Sequence, residues 1–198
     1  MKKIAKDAQI EIDVKGSKFI GLVSLCESEE QARNYIHTIK KVHPKANHHC
    51  SAYILFQSQI ERSNDDGEPS STAGLPMLQV LRGQEVTDVV AVVVRYFGGT
   101  LLGRGGLIKA YTEAVTKAIE SAGIKEFKQI CTYSIEFPYS MISVVENIIQ
   151  QNCHILNRDY DEQAIIRFKV ENIEEIQDSL IDSTKGQAKI IHISTDWE

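Results

Sequence analysis

The amino-acid sequence predicts an α+β fold made of two consecutive domains. In the first part, strand and helix patterns are mixed around one unbroken apolar segment at residues 89–94. The last part gives strand and helix signals in the order βαββαβ, which is typical of ferredoxin-like domains. Hydrophobic residues make up 42% of the 198 residues, so each domain can form a core. We predict an N-terminal domain over residues 1–125 and a C-terminal domain over residues 126–198.

The first elements are a pair of strands and a helix. Apolar residues alternate over 10–14 and again over 19–25, which predicts two strands joined by a turn. Ser28 is then placed to cap a helix, with Gln31 at the capping-box position. This helix is expected to end before Pro44, because the residue that precedes a proline avoids helical geometry.

A third strand, a loop and a short helix come next. The pattern predicts the strand over 48–56, a polar loop over 58–70 and a helix that ends at Gly83. The apolar run over 89–94 is typical of a central strand whose two faces are both buried. A glycine-rich loop over 98–106 then leads into a long helix with an apolar stripe.

The C-terminal domain repeats the alternation of strands and helices on a smaller scale. Period-two patterns predict strands, and apolar residues at helical spacing predict two helices. The strands are predicted over 133–137, around 155, over 164–170 and over 191–193, and the helices over 141–148 and 173–180.

Composition narrows the possible classes of protein. The net charge is −5, so any contact with nucleic acid is expected to be local. No apolar run approaches ~18 residues and the first residues do not form a signal peptide, so we expect a cytoplasmic protein without membrane contact. We expect no metal or other cofactor, because His48 and His49 are adjacent on a strand and point to opposite faces, and because no CxxC pair is present. We expect no disulfide either. The cysteines are Cys26, Cys50, Cys131 and Cys153.

The first segment with candidate chemistry is the polar stretch over 64–74, which leads into a helix. Its hydroxyl groups can cap that helix and leave backbone amides free to bind an anion. Its carboxylates instead favour a hard cation or acid–base chemistry, and a solvated acidic turn is the simplest alternative. The candidate ligand-binding residues here are Asp65, Asp66, Glu68, Ser70, Ser71 and Thr72.

The second segment is the connection over 95–106 between the central strand and the long helix. Glycines let a ligand approach the backbone closely, and amides at a helix start favour a phosphate. A tight strand-to-helix connection without a ligand is the alternative. Arg95 is expected to orient the loop rather than to meet solvent. The candidate ligand-binding residues are Arg95, Gly98, Gly99, Arg104, Gly105 and Gly106.

The spacing of these glycines excludes two common nucleotide-binding classes. Gly98 and Gly103 have the separation of a P-loop, but Arg104-Gly105 stands where Lys-Ser/Thr is needed for phosphate and Mg²⁺. Position 108 is not glycine, so the dinucleotide-binding pattern fails as well. We therefore exclude a P-loop NTPase and a Rossmann enzyme.

Ordered motifs over most of residues 15–122 resemble the Impact/YigZ family. The most specific match is Val-Arg-Tyr-Phe-Gly-Gly over 94–99. Ser71 stands where many relatives have glycine, and Arg104 stands where a small residue is common. The other matching segments are 15–20, 43–48, 50–53, 65–69, 72–76, 102–103, 105–107 and 110–111.

The resemblance implies both the folds and a biological setting. The N-terminal domain should be like the second domain of ribosomal protein S5, and the C-terminal domain like the last domain of elongation factor G. Since that factor carries the two folds in succession, the resemblance implies RNA or the ribosome as a partner. In eukaryotic relatives the family restrains a stress-response kinase by competing for its activator, so a translation-associated protein is an alternative partner.

Three hypotheses about function follow. The leading one is a non-enzymatic binding protein linked to translation, which contacts RNA, the ribosome or another phosphate-bearing ligand through the two loops. The second is a hydrolase with Asp65, Asp66 or Glu68 as base or metal ligand. The third is a protein-interaction module that regulates translation.

Overall fold

The computed structural model describes residues 1–160 and 162–198. The chain divides into two compact units, Met1–Glu126 and Phe127–Glu198. Each unit has buried apolar clusters of its own.

The N-terminal unit contains seven strands and three helices within the described residues. Its strands are β1 (Lys2–Ile4), β2 (Ala8–Val14), β3 (Ser17–Leu25), β4 (His48–Leu55), β5 (Ile60–Asn64), β6 (Val89–Tyr96) and β7 (Ile124–Glu126). Its helices are α1 (Glu29–Val42), α2 (Gly74–Gly83) and α3 (Gly103–Ala122).

Five strands form one antiparallel sheet in the order β2-β3-β6-β4-β5, and β1 pairs with β7 in a separate two-stranded sheet. Strand β6 lies at the centre, and its residues 89–95 are all buried. One core lies between the sheet and α2 and α3. A second core lies between the other face and α1. The unbroken apolar run of β6 is therefore explained by cover on both faces.

Local sequence signals set several helix ends. Ser28 caps α1 by accepting a hydrogen bond from the Gln31 backbone N–H at 3.2 Å, and the Gln31 side chain accepts from the Glu27 N–H at 2.8 Å. Helix α3 ends at Ala122, and Gly123 follows with a positive φ of 71°. The predicted ends of α1 and α3 are thus confirmed.

The C-terminal unit is a four-stranded antiparallel sheet with two helices. Its elements in chain order are β8 (Gln129–Phe137), α4 (Ile142–Asn152), β9 (His154–Tyr160), β10 (Ala164–Val170), α5 (Glu174–Ser183) and β11 (Lys189–Trp197). The strand order is β11-β8-β10-β9. The βαββαβ order that the sequence predicted is confirmed, and with it the α+β fold class.

Two parts of the N-terminal unit differ from the prediction. The segment predicted as a polar loop over 58–70 contains β5, an edge strand whose register pairs Ile60 with Leu55. Its polar, exposed residues hide the alternation, because an edge strand has little to bury. The glycine-rich loop is shorter than predicted, since α3 already begins at Gly103.

No helix in the described part of the chain is long and apolar enough to cross a membrane.

Candidate functional site

The two loops singled out from the sequence meet at one cavity in the N-terminal unit. Its volume is about 550 Å³. Three parts of the chain line it: the start of β4 with the residue before it, the turn over 67–69, and the segment from the end of β6 to the beginning of α3. The lining residues are Asn47, His48, Gly67, Glu68, Pro69, Arg95, Phe97, Leu101, Leu102, Gly103, Arg104 and Leu107.

A buried ion pair, Arg95 with Glu68, lines this cavity. Arg95 is only 5% exposed, and its Nη1 donates to Glu68 Oε1 at 2.7 Å. The Tyr111 hydroxyl, from α3, donates to the same oxygen at 2.8 Å. Burial, with Cys50 and Glu68 nearby, raises the pKa of Tyr111 far above its usual range, so the phenol stays a neutral donor. This network ties β6, the polar turn and α3 together.

Part of the Arg95 guanidinium remains without a partner. Its Nε is buried and has no hydrogen-bond partner among residues 1–160 and 162–198. The guanidinium carbon lies 5.4 Å from the ring centroid of Phe19 and 5.6 Å from that of Phe97. A buried donor that is left unsatisfied is costly, and an acceptor atom on a bound ligand would remove that cost. Arg95 is shielded from solvent and contacts the polar turn through Glu68.

Asp65 occupies the helix start where the sequence suggested an anion site. Its Oδ1 accepts from the backbone N–H of Ala73 at 3.0 Å and of Gly74 at 2.8 Å, and its Oδ2 accepts from Ser71 at 2.8 Å. The residue at the N-cap of α2 is Ala73, and no side chain at that position caps the helix. The prediction that a hydroxyl caps α2 is therefore wrong, and the amides of Ser71, Ala73 and Gly74 are bound within the chain rather than free for an external anion. A carboxylate accepts three N–H groups more effectively than one hydroxyl can.

The predicted hydroxyl residues have other places in this turn. Thr72 is buried and its Oγ1 donates to the Pro69 carbonyl at 2.6 Å. Ser71 is exposed and has a left-handed φ of 61°, a conformation that favours glycine. Ser70 is exposed and presents its carbonyl oxygen to Arg104.

Asp66 is also bound within the chain. Its Oδ1 accepts from Lys40 Nζ at 2.7 Å, and its Oδ2 accepts from the His49 N–H at 2.7 Å. Burial alone would raise the pKa of this carboxyl, but the bonds from Lys40 and His49 lower it below the usual range. Asp66 therefore stays ionised as a structural anion and is not poised to act as a base near neutral pH.

The histidine and cysteine residues beside this turn are held by the backbone. His48 Nδ1 lies 2.9 Å from the Asp66 carbonyl oxygen, and His49 Nε2 lies 3.0 Å from that of His43. Cys50 donates its thiol to the Asp65 carbonyl at 3.0 Å, and burial raises its pKa to about 12. All four cysteines are free thiols.

Within the N-terminal unit, residues 1–126, the start of α3 is the helix start without a side-chain cap. Leu102 is the N-cap residue, and no side chain in the described part of the chain supplies a cap there. The first amides of a helix lack partners within it and carry a partial positive charge. Arg104, exposed in the first turn, donates from Nη2 to the Ser70 carbonyl at 2.9 Å. One bond uses only part of its guanidinium, which has five N–H donors.

The glycines of this connection have different roles. A Cβ on Gly98 would lie 1.8 Å from the carbonyl oxygen of Gly16, so this glycine permits contact within the chain and not with a ligand. A Cβ on Gly99 or Gly105 would meet no atom within 4 Å in the described residues. Gly106 lies inside the first turn of α3. The expectation that these glycines open the backbone to a ligand is therefore wrong for Gly98.

Sequence reasoning did not select several residues of the site. Ser17 Oγ accepts from the Gly98 N–H at 3.1 Å, and Asn47 Oδ1 accepts from the Phe97 N–H at 2.8 Å. Phe97 and Leu101 line the cavity, and Tyr111 reaches Glu68 from α3. Ser17, Asn47, Phe97 and Tyr111 all lie in the motifs that carried the family resemblance, so that signal could have identified them.

The fold and the site thus describe a two-domain α+β protein in which the uncapped start of α3 lies at a cavity of the N-terminal unit. The match to the model of the Impact N-terminal domain covers residues 15–119, and residues 135–187 match a domain of unknown function (DUF1949). The chain belongs to the IMPACT family.

Similarity to relatives extends through both units. The IMPACT family member YvyE of Bacillus subtilis is 37% identical over 91% of this chain and 85% of its own length. The IMPACT family member YigZ of Escherichia coli is 33% identical over 91% of this chain and 92% of its own. A crystal structure of a hypothetical protein matches with a TM-score of 0.61 and 31% identity, covering 98% of this chain and 97% of that one.

Proposed function

We propose that this protein is a non-enzymatic binding protein whose N-terminal unit holds a phosphate-bearing ligand at the start of α3. The observation that carries the proposal is the uncapped start of α3, which lines a cavity together with Arg104 and the buried Arg95. Backbone amides at a helix start, with an arginine beside them, match the chemistry of phosphate recognition. The structure supports the start of α3 for this role, and not that of α2.

The charges around the cavity favour an anion once the chain's own pairs are counted. Glu68 forms an ion pair with Arg95, and Lys40 forms one with Asp66. The Asp65 carboxylate accepts hydrogen bonds from the backbone amides that lead into α2. The acidic turn therefore does not oppose a phosphate as strongly as its sequence suggests. Arg104 and the partial charge of α3 remain to attract one.

The hydrolase hypothesis has less support from the same geometry. Asp65 and Asp66 accept hydrogen bonds at both carboxylate oxygens, and the buried Glu68 is paired with Arg95. A general base needs a free lone pair within reach of the substrate proton. We therefore propose a ligand that is bound without turnover. The proposed partners are RNA, the ribosome or a translation-associated protein.

Calorimetry with ribose 5-phosphate as the probe tests this proposal. We expect the Arg104→Ala variant to bind it about 1–3 kcal/mol more weakly, the range for losing a charged hydrogen bond. Arg62→Ala is the matched control, because Arg62 is also exposed and also donates one bond to a backbone carbonyl, at 3.0 Å. Equal affinity of the two variants, or no binding by the unmodified protein, would overturn the proposal and favour the protein-interaction hypothesis.

A further inference from the structure

The charges that remain in the cavity suit a single phosphate group. Arg95 has its counter-charge in Glu68 at 2.7 Å, so its positive charge is already balanced. Arg95 and Arg104 are the arginines among the described lining residues, and Arg104 has no carboxylate partner. One arginine and about half a charge from the helix end balance one phosphate, and they fall short of the charge on a triphosphate.

Beside this anion-binding end, the cavity wall is apolar. Leu101 is 85% exposed and Phe97 is 44% exposed, and both line the cavity with Pro69, Leu102 and Leu107. A ligand that consists of a phosphate alone leaves this wall in water. A ligand that also carries an apolar or planar group covers it and gains from the burial.

Phe97 is held in a position suited to stacking. Its backbone N–H donates to Asn47 Oδ1 at 2.8 Å, which fixes the chain at that point. The Arg95 guanidinium lies over its ring, 5.6 Å from the centroid, and almost half of the residue remains exposed. Unpaired nucleobases stack on exposed aromatic rings of this kind.

We infer that the cavity takes one nucleotide unit, with its phosphate at the start of α3 and its unpaired base against Phe97. The inference rests on the proposed function, because it uses the same phosphate position. The unit comes from a free nucleoside monophosphate or from single-stranded RNA. The net charge of −5 limits the contact with RNA to a short segment.

The first experiment compares AMP with ribose 5-phosphate, which has the same phosphate and sugar but no base. We expect AMP to bind at least tenfold more tightly and Phe97→Leu to abolish that advantage. Phe56→Leu is the control, since Phe56 is an exposed phenylalanine outside this cavity. If both probes bind equally, and Arg104→Ala weakens both, the base inference is overturned while the phosphate proposal stands. If neither probe binds, both fail.

The second experiment separates the two sources of the nucleotide. A six-nucleotide single-stranded RNA, the same oligomer with abasic sites, and its duplex are titrated at several salt concentrations. If the single strand binds more tightly than AMP, and the abasic and duplex forms lose that affinity, the nucleotide comes from RNA. If AMP and RNA bind equally, the ligand is the free nucleotide. We expect the logarithm of affinity to fall with the logarithm of salt concentration at a slope of about −0.7, as for one phosphate contact. Abasic RNA that binds as tightly as intact RNA would overturn the inference.

Discussion

Asp65 gives the sharpest test of how the polar turn is built. Its carboxylate accepts three backbone hydrogen bonds, at 2.8, 2.8 and 3.0 Å, from the residues that lead into α2. Replacing it with alanine leaves the N–H groups of Ala73 and Gly74 without an acceptor, and both residues are buried. Ser71 is exposed, so water can replace the third bond.

The expected loss of stability follows from these contacts. A buried donor left without a partner costs about 1–3 kcal/mol, and loss of a helix cap costs about 0.5–2 kcal/mol. Because these terms overlap, we expect Asp65→Ala to lower the free energy of unfolding by about 3 kcal/mol. Asp65→Asn keeps an oxygen for two of the bonds but loses the charge at the helix start, so we expect a loss of about 1 kcal/mol.

Urea unfolding followed by far-ultraviolet circular dichroism measures both losses. Trp197 is the single tryptophan and lies in the C-terminal unit, so its fluorescence follows that unit separately. Asp13→Ala is the matched control, because Asp13 is an exposed aspartate of the N-terminal unit, and we expect a change below about 0.5 kcal/mol. A loss in Asp65→Ala no larger than in this control would refute the capping role of Asp65.

Three further predictions concern the ion pair, the glycine contact and the domain boundary. Glu68→Gln removes the buried counter-charge of its arginine partner and should lower the free energy of unfolding by about 3 kcal/mol in urea titration, the scale for breaking a buried pair. Gly98→Ala should unfold or strongly destabilise the protein in the same assay, because its Cβ would lie 1.8 Å from a backbone oxygen, whereas Gly105→Ala should be tolerated. Limited proteolysis should cut first within 123–128, as seen by mass spectrometry of the fragments; first cleavage within 89–97 would contradict that boundary.

Local patterns in the sequence determined most of the fold. The alternation over β2 and β10 reflects burial of one face, and the unbroken apolar run of β6 reflects burial of both faces. Strand β3 is also buried on both faces, although its sequence alternates. Ser28 and Gly123 marked helix ends because capping uses residues next to each other in the chain. The edge strand β5 was missed, since it buries too little to leave a clear pattern.

The sequence also selected the two loops that meet at the cavity, but only the tertiary structure decided what each residue does there. Asp65 lies six to nine residues before the amides that it binds, so no local rule distinguishes it from a solvated acid or a catalytic one. The pairing of Arg95 with Glu68 and Tyr111 joins residues far apart in the chain. Hydrogen bonds of this kind depend on distance in space, which the order of residues does not give, and they leave the start of α3 without a side-chain cap.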